Sequence, residues 1–218
     1  MALNINGTTG ISGVDGSVSA PAVTGTDSNT GITFPSADTI KFATGGVERM
    51  SITNSGITGI TAGITEADQW RITSNLAGSG AGAYITANWE RNDNAGFEKI
   101  GTGMIESSGV FSFPETGKYM IMAKCDIYSS RNGYNYYQRL EIHTTQNNSS
   151  YTSQATGYGS HAVQYTRSEM SASFIFDVTD VSTHKVKFHQ YTYHGDSLIL
   201  GDSTNNVNNF TFLKIGTT

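Results

Sequence analysis

GVFSFPETGKYMIMAKC, residues 109–125, is the stretch of sequence that decides the fold. Side chains on a β-strand point alternately to its two faces, so Phe111 and Phe113 share one face before the turn residues PETG. The residues after the turn are apolar on both faces, one formed by Tyr119, Ile121, Ala123 and Cys125 and the other by Met120 and Met122. The stretch therefore predicts two strands joined by a tight turn, and the second strand needs cover on both faces.

Strand-like segments follow one another from residue 69 onward. Short turns rich in Gly, Asn, Asp and Ser, such as NDNAG and DSTNN, separate them, and no segment has the apolar spacing of an amphipathic helix. About ten short strands without a helix are typical of a β-sandwich or barrel. The predicted strands are residues 69–73, 83–90, 97–104, 109–114, 117–128, 135–144, 160–168, 170–179, 184–193, 197–200 and 208–215.

The composition excludes several classes of protein. Charged residues make up 14% of the 218 residues and the net charge is -5, without the clusters of Lys and Arg that nucleic-acid binding requires. No apolar run approaches the roughly 20 residues of a membrane-spanning helix, and the first residues lack the charged and apolar regions of a secretory signal. We therefore expect a soluble protein that is not exported, has no membrane span and binds no nucleic acid.

Residues 1–63 differ in composition from residues 64–218. Gly, Ser and Thr make up 29 of the first 63 residues, and apolar residues occur there in short bursts such as ITF and TIKFA. A disordered linker is one interpretation, because such a composition offers little apolar surface to offset the entropy of ordering. A fibrous segment whose core is shared between chains is the other, and the regular recurrence of β-branched and aromatic residues favours it.

Residues 25–56, GTDSNTGITFPSADTIKFATGGVERMSITNSG, resemble a segment of bacteriophage fibre and appendage proteins, especially those of marine phages. The resemblance is carried by TDSNTGITF, by ADTI, TGG and ER in the middle, and by the closing NSG. It implies that residues 1–63 form a virion-attachment and stalk segment that binds other virion proteins. It also implies location in a virion that is assembled in the cytoplasm of an infected bacterium.

A second resemblance covers about residues 70–216. The opening stretch, followed by SASFIFDVTDVSTHKVKF and GDSTNNVNNFTFLKIG, is similar to the jelly roll of tumour necrosis factor and of the complement globular head. The resemblance implies an all-β jelly-roll sandwich over residues 64–218 and assembly as a homotrimer. Strands that are apolar on both faces favour a subunit contact as well, since large exposed apolar patches mark interfaces. The residues predicted to line that contact are Met120, Met122, Phe210, Phe212 and Leu213.

Tyrosines are the strongest binding signal in the sequence. They lie among Gly, Ser and Asn in RNGYNYYQR and SYTSQATGYGSHAVQY, and tyrosine provides a large amphipathic contact area at low entropic cost. Ordinary tyrosines on a sheet surface are the alternative interpretation. The predicted receptor surface, for a host-surface glycan or protein, consists of Tyr134, Tyr136, Tyr137, Tyr151, Tyr158 and Tyr165.

The sequence contains no catalytic or metal-binding motif. It has no G-x-S-x-G, H-E-x-x-H or P-loop, and its five histidines fit no metal-ligand spacing. Cys125, the single cysteine, is predicted to be a small buried residue rather than a catalytic thiol. Asp196 and Asp202 carry oxygens that suit calcium, but hydrogen bonds within their own turns are the favoured interpretation. We expect no enzymatic activity and no cofactor.

Three functions remain open from the sequence. The favoured one is a phage virion structural protein, a homotrimeric fibre or head appendage whose tip binds the host surface. A capsid-decorating protein without receptor binding is the runner-up. A glycan-cleaving tip is the third, and it would need two carboxyl groups roughly 5–10 Å apart in a cleft. The acidic residues available for such a pair are Glu90, Asp93, Glu98, Glu106, Glu115, Glu141 and Glu169.

Overall fold

The structure, a computed structural model, describes residues 4–6, 10–12, 15–59, 63–129, 135–194 and 196–218. Within these ranges the protein is all-β, as predicted, and contains strands and no helix. It follows that no helix of the described residues has the length and apolar character needed to cross a membrane. The chain divides into two compact units, Met1–Ala62 and Gly63–Thr218.

The first unit consists of short antiparallel strands. They are β1 (Asn4–Asn6), β2 (Gly10–Ser12), β3 (Gly16–Ser17), β4 (Ala20–Pro21), β5 (Val23–Thr24), β6 (Gly31–Thr33), β7 (Ile40–Thr44), β8 (Val47–Thr53) and β9 (Gly56–Thr58). β1 pairs with β2, β3 pairs with β4, and β5 to β9 form a five-stranded sheet in chain order. Gly45 and Gly46 make the two-residue turn between β7 and β8, where φ values of 60° and 73° favour glycine.

Few side chains of the first unit are buried. From residue 15 to residue 59 the buried residues are Pro21, Thr33, Ala43 and Ser51. Five large apolar side chains are 37–61% exposed, namely those of Val23, Phe34, Ile40, Val47 and Ile57, and those of Ile32, Phe42, Met50 and Ile52 are partly buried. The strands of this unit therefore enclose only part of their own apolar side chains. The attachment and stalk roles of residues 1–63 stay predictions.

The second unit is a sandwich of two antiparallel sheets. Its strands are β10 (Ala67–Ile72), β11 (Leu76–Ala77), β12 (Ala83–Tyr84), β13 (Trp89–Arg91), β14 (Ile105–Ser107), β15 (Val110–Ser112), β16 (Gly117–Ser129), β17 (Asn135–Thr145), β18 (Thr152–His161), β19 (Thr166–Val178), β20 (Lys185–Thr192), β21 (Ser197–Ile199) and β22 (Asn209–Gly216). The main strands of the first sheet lie in the order β10-β22-β16-β19, and those of the second in the order β15-β20-β17-β18. Eight strands shared between two sheets in this order form a jelly roll. The predicted jelly-roll sandwich is therefore confirmed by the strand order.

Residues 109–125 form two strands joined by a turn, as predicted, but the two strands do not pair as a hairpin. β15 lies in the second sheet beside β14 and β20, whereas β16 lies in the first sheet between β22 and β19. The turn residues PETG therefore carry the chain from one sheet to the other. The predicted alternation holds on both sides of this crossing. Phe111 and Tyr119 are both buried in the core between the sheets.

Aromatic rings fill the centre of that core. Six of them pack against one another, namely Trp70, Trp89, Phe111, Phe188, Phe210 and Phe212. The ring centroid of Phe111 lies 4.9 Å from that of Trp89 and 5.2 Å from that of Phe212. The free thiol of Cys125 is also fully buried, as predicted, and burial raises its pKa.

The prediction that Phe210 and Phe212 line a subunit contact is wrong. Their side chains are 0% and 1% exposed and point into the core of their own chain. Met120 pairs with Leu213 across β16 and β22, and both residues lie on the opposite, outer face of the first sheet. One face of β22 therefore belongs to the core, and only the other face is available to a partner.

Three predicted strands differ from those observed, and each contains residues with a positive φ. Residues 83–90 are divided between β12 and β13, and Asn88 has a φ of 64° between them. Residues 97–104 contain no strand, and Gly101 and Gly103 have φ values of 75° and 76° there. Residues 160–168 are interrupted by a turn at 162–165 that ends on Tyr165, with a φ of 61°.

Two buried carboxylates hold the loop between β13 and β14. Glu66 accepts hydrogen bonds from the backbone N–H groups of residues 102 and 103, at 2.9 and 2.8 Å. Asp68 is 3% exposed and accepts hydrogen bonds from the Trp70 indole and the Met104 N–H, both at 2.8 Å, and from Arg91 Nε at 3.0 Å. These carboxylates replace the strand hydrogen bonds that residues 97–104 lack.

Candidate functional site

The outer face of the second sheet gathers the side chains best suited to binding. On β17 and β20 every second residue is buried in the core, so the residues between them face outward. The register of the two strands places Glu141 beside His189 and Arg139 beside Tyr191. β18 continues the face at Tyr158, and β12 continues it on the other side at Tyr84. Two groups of side chains on this face have distinct chemistry.

The first group is a set of five clustered rings, called here the tyrosine surface. It consists of Tyr136, Tyr137, Tyr158, Tyr191 and Tyr193. Tyr137 is its centre: its ring stacks on Tyr191 with centroids 5.5 Å apart and lies 5.7 Å from Tyr193. Tyr158 and Tyr136 complete the set at centroid distances of 6.5 Å from Tyr137 and 5.6 Å from Tyr193, respectively.

The tyrosine surface is open to solvent and carries one positive charge. Tyr136 and Tyr158 are 69% and 63% exposed. The guanidinium carbon of Arg139 lies 4.6 Å from the Tyr191 ring centroid, which is a cation–π contact. A hydrogen bond with Tyr137, together with burial, raises the pKa of Tyr191. Each ring of the set can offer either a flat apolar face or a hydroxyl group.

The predicted receptor surface is only partly assembled in the structure. Tyr136, Tyr137 and Tyr158 lie together as described above, whereas Tyr134 lies outside the described residues. Tyr151 packs on Tyr84, with centroids 6.3 Å apart. Tyr165 stacks on Tyr128 of the first sheet at 6.4 Å, so it belongs to a different surface.

The second group, called here the Glu–His cluster, consists of Glu141, His143 and His189. Oε2 of Glu141 lies 2.8 Å from Nδ1 of His189 and 3.7 Å from Nε2 of His143. The two imidazole rings stack with centroids 5.1 Å apart. Among the described residues, only these three form a group of His, Cys, Asp or Glu ligand atoms that all lie within 4.8 Å of one another.

Surrounding residues hold each member of the Glu–His cluster in place. Oε1 of Glu141 lies 3.5 Å from the guanidinium of Arg139, which leaves Oε2 to the histidines. The hydroxyl group of Tyr84 lies 3.1 Å from Nδ1 of His143. Burial, with a smaller effect of His189, lowers the pKa of His143. The His143 imidazole is therefore neutral at pH 7.

Sequence reasoning missed the Glu–His cluster and two members of the tyrosine surface. The spacing of the histidines along the chain gives no sign of the cluster, because His143 and His189 meet across two paired strands. The alternation Lys187, His189, Tyr191 and Tyr193 marks one face of β20 in the sequence. It gives no information on which strand pairs with β20. The pairing of β17 with β20 is what forms both the tyrosine surface and the Glu–His cluster.

Most of the acidic residues weighed for calcium binding and for glycan cleavage have other partners. Asp202 Oδ1 accepts hydrogen bonds from the backbone N–H groups of Thr204 and Asn205, at 2.6 and 2.9 Å, which is turn chemistry within its own loop. These backbone hydrogen bonds lower the pKa of Asp202. The other contacts join a carboxylate to a cation or a backbone N–H: Glu90 and Asp93 to Arg71, Glu106 to Gly109, Glu115 to Lys214, and Glu169 to Lys124.

The outer face of the first sheet carries a second candidate surface. Strand register places Ile175, Met120, Leu213 and Ala67 side by side across four strands, and this set is called here the apolar row. Ile175 is 50% exposed. Two surface ion pairs flank the row, Lys118–Asp177 at 3.3 Å and Lys124–Glu169 at 2.8 Å. An apolar centre with a charged rim is the usual organisation of a protein–protein contact.

Comparisons with known proteins were made by sequence and by structure. No protein-family model matches the chain, and no curated protein matches it. Among solved structures the chain is similar to murine APRIL at pH 5.0, with a TM-score of 0.47 and 7% identity over 69% of this chain and 98% of that one. It is also similar to Eiger TNF from S. frugiperda, with a TM-score of 0.48 and 8% identity over 70% of this chain and 93% of that one.

Proposed function

We propose that this protein is a structural protein of a bacteriophage virion, a homotrimeric appendage whose jelly-roll tip binds a glycan on the host surface. The observation that carries the binding role is the tyrosine surface, five neighbouring rings at one end of the second sheet, two of them more than 60% exposed. The resemblance of residues 25–56 to phage appendage proteins supports the virion role. Capsid decoration without receptor binding is the alternative.

A glycan suits this surface for chemical reasons. Sugar rings present flat C–H faces that pack on aromatic rings, and their hydroxyl groups need hydrogen-bond partners at the edge of the contact. Tyr137 and Tyr158 offer both a ring face and a hydroxyl group. Arg139, held over Tyr191 and paired with Glu141 at 3.5 Å, adds N–H donors at the edge of this surface.

Removal of two rings should weaken binding strongly. The double substitution Tyr137→Ala and Tyr158→Ala is expected to lower the affinity for a bound polysaccharide at least tenfold, or about 1.4 kcal/mol, because anchors at the centre of a contact dominate its energy. The measurement is binding of the labelled full-length protein to an array of bacterial capsular and O-antigen polysaccharides. Thermal denaturation of the double variant would show that its fold is retained.

Tyr165→Ala is the matched control, because Tyr165 is 67% exposed but lies away from the tyrosine surface. Its binding should equal that of the wild type. Equal binding by the double variant would refute the receptor role of this face. If the wild type binds no polysaccharide on the array, decoration becomes the better proposal, and immunogold labelling of virions would then test the virion role separately.

The proposed homotrimer uses the apolar row. Met120 and Leu213 face outward, opposite the core side chains of the same two strands. The residues flanking them carry both signs of charge, as in Lys118 and Asp177, so one copy can present complementary groups to another. We therefore propose that a second copy of the chain binds this face. That contact would bury the outer apolar side chains of β16, whose other face is already buried in the core.

Charge placed in the apolar row should separate the subunits. The full-length wild type is expected to have three times the chain mass of 23.3 kDa in light scattering at micromolar concentration. Met120→Lys combined with Leu213→Lys should yield a folded monomer, since unpaired ammonium groups would be buried at the contact. Ile105→Lys, at a 61% exposed apolar residue of the second sheet, is the control and should stay trimeric. A monomeric wild type would contradict the proposal.

A further inference from the structure

We infer that the Glu–His cluster is a binding site for a transition-metal ion, with zinc as the best match, ligated by Oε2 of Glu141, Nε2 of His143 and one imidazole nitrogen of His189. This inference does not depend on the receptor role, because it rests on different side chains. Two imidazoles and one carboxylate are a ligand set of known zinc sites, and imidazole nitrogen favours transition metals over Ca²⁺ and Mg²⁺.

The distances in the cluster suit a small ion. Zinc bonds of about 2.0–2.2 Å place tetrahedral ligand atoms roughly 3.3–3.5 Å apart. The Glu141 carboxylate oxygen lies 2.8 Å from the His189 nitrogen and 3.7 Å from the His143 nitrogen, values on either side of that separation. Small side-chain rotations would therefore place all three ligand atoms around one ion. The strands themselves need not move, because β17 and β20 already hold the ligands side by side.

His143 provides a second, independent observation. Its Nε2 atom is buried and makes no hydrogen bond to any described residue, although it faces the carboxylate of Glu141. Its other nitrogen, Nδ1, is held by the hydroxyl group of Tyr84 at 3.1 Å. A metal-bound histidine is commonly arranged in this way, with one nitrogen on the ion and the other fixed by a neighbour. An ion would satisfy the unpaired nitrogen.

The surroundings of Glu141 and His189 fit the same assignment. Ser153 and Thr156 approach Oε1 of Glu141 at 3.5 Å, as Arg139 does, so this carboxylate is oriented by groups that leave Oε2 available. A Cβ atom at Gly82 would come within 2.5 Å of the His189 ring, so glycine leaves room for that ring. With three protein ligands, at least one coordination position would remain for water.

Metal titration of the full-length, tag-free protein tests the inference. After removal of metals with a chelator, Zn²⁺ is expected to bind at one ion per chain in calorimetry and to raise the melting temperature. Co²⁺ should give the visible absorption bands of a four- or five-coordinate nitrogen and oxygen site. The double variant His143→Gln and His189→Gln should lose at least about 100-fold in affinity, and Tyr84→Phe about tenfold through loss of the neighbour that orients His143.

His194→Gln is the matched control, because His194 packs on Tyr193 and is not part of the cluster. It should bind Zn²⁺ like the wild type, and Ca²⁺ should not displace the ion. Unchanged affinity in the His143→Gln, His189→Gln variant, or no binding by the wild type, would overturn the inference. Anomalous scattering at the zinc edge from wild-type crystals needs no substitution. A peak among the three side chains supports the site, and a peak only elsewhere refutes it.

Discussion

Replacement of Asp68 by alanine is expected to lower the free energy of unfolding of the jelly-roll unit by about 3–5 kcal/mol. The carboxylate is 3% exposed and accepts hydrogen bonds from Trp70, Met104 and Arg91. Alanine would leave the Trp70 indole N–H and the Met104 N–H without their acceptor and would remove the ion pair with Arg91, and each unsatisfied buried donor costs about 1–3 kcal/mol. Urea unfolding followed by tryptophan fluorescence would measure the loss, since Trp70 is itself one of the donors.

Asp180→Ala is the control for this experiment. Asp180 is exposed and accepts hydrogen bonds from the backbone N–H and the hydroxyl group of Ser182 within its own turn, and a typical hydrogen bond contributes only about 0.5–1.5 kcal/mol. Both variants must be compared at one protein concentration, because any subunit association adds to the apparent stability. A change of under 1 kcal/mol for Asp68→Ala would mean that the loop at 102–104 is not held by this carboxylate.

Phe210→Ala should have an effect of similar size through a different mechanism. The Phe210 ring is fully buried, with its centroid 4.6 Å from those of Trp89 and Phe188. Truncation of a core phenylalanine typically costs about 3–5 kcal/mol, from lost burial and from the cavity that remains. Chemical denaturation measures this cost directly. The result decides between the two roles given to this residue, core packing in the structure and subunit contact in the sequence analysis.

Tyr158→Ala is the matched aromatic truncation, because its ring is 63% exposed. It should change the free energy of unfolding by no more than about 0.5 kcal/mol. If Phe210→Ala instead left unfolding unchanged but dissociated the assembly, Phe210 would lie at a subunit contact and the packing described here would be incorrect.

Much of the jelly roll can be predicted from the local alternation of apolar residues. The predictions that fail concern strand pairing and contacts between residues that are distant in the sequence. Alternation identifies Tyr119, Ile121, Ala123 and Cys125 as one face of β16, and that face is buried. Alternation does not reveal that residues 109–125 cross between sheets, since a strand has the same period whichever strand it pairs with. The non-strand backbone at 97–104 depends on Glu66 and Asp68, which lie 36–37 residues before the backbone N–H groups that they bind.

The candidate sites follow the same rule. A tyrosine-rich surface was predictable because Tyr136, Tyr137 and Tyr158 lie in segments of distinctive composition. Tyr191 joins them only through the pairing of β17 with β20, and that pairing also brings His143 near His189. Sites assembled by strand register therefore stay hidden in a single sequence, because register is set by the whole sandwich rather than by adjacent residues.

The position of β22 has a consequence for how the protein is made. This strand follows every other strand of its unit, yet it lies between β10 and β16 in the middle of the first sheet. Synthesis proceeds at roughly 5–20 residues per second. Several seconds therefore pass between the synthesis of β10 and that of its partner strand β22. During that time the inner faces of β10 and β16 lack Phe210 and Phe212. The first sheet can be completed only after residue 216 has left the ribosome, so the pairing of β10 with β22 is both late and long-range.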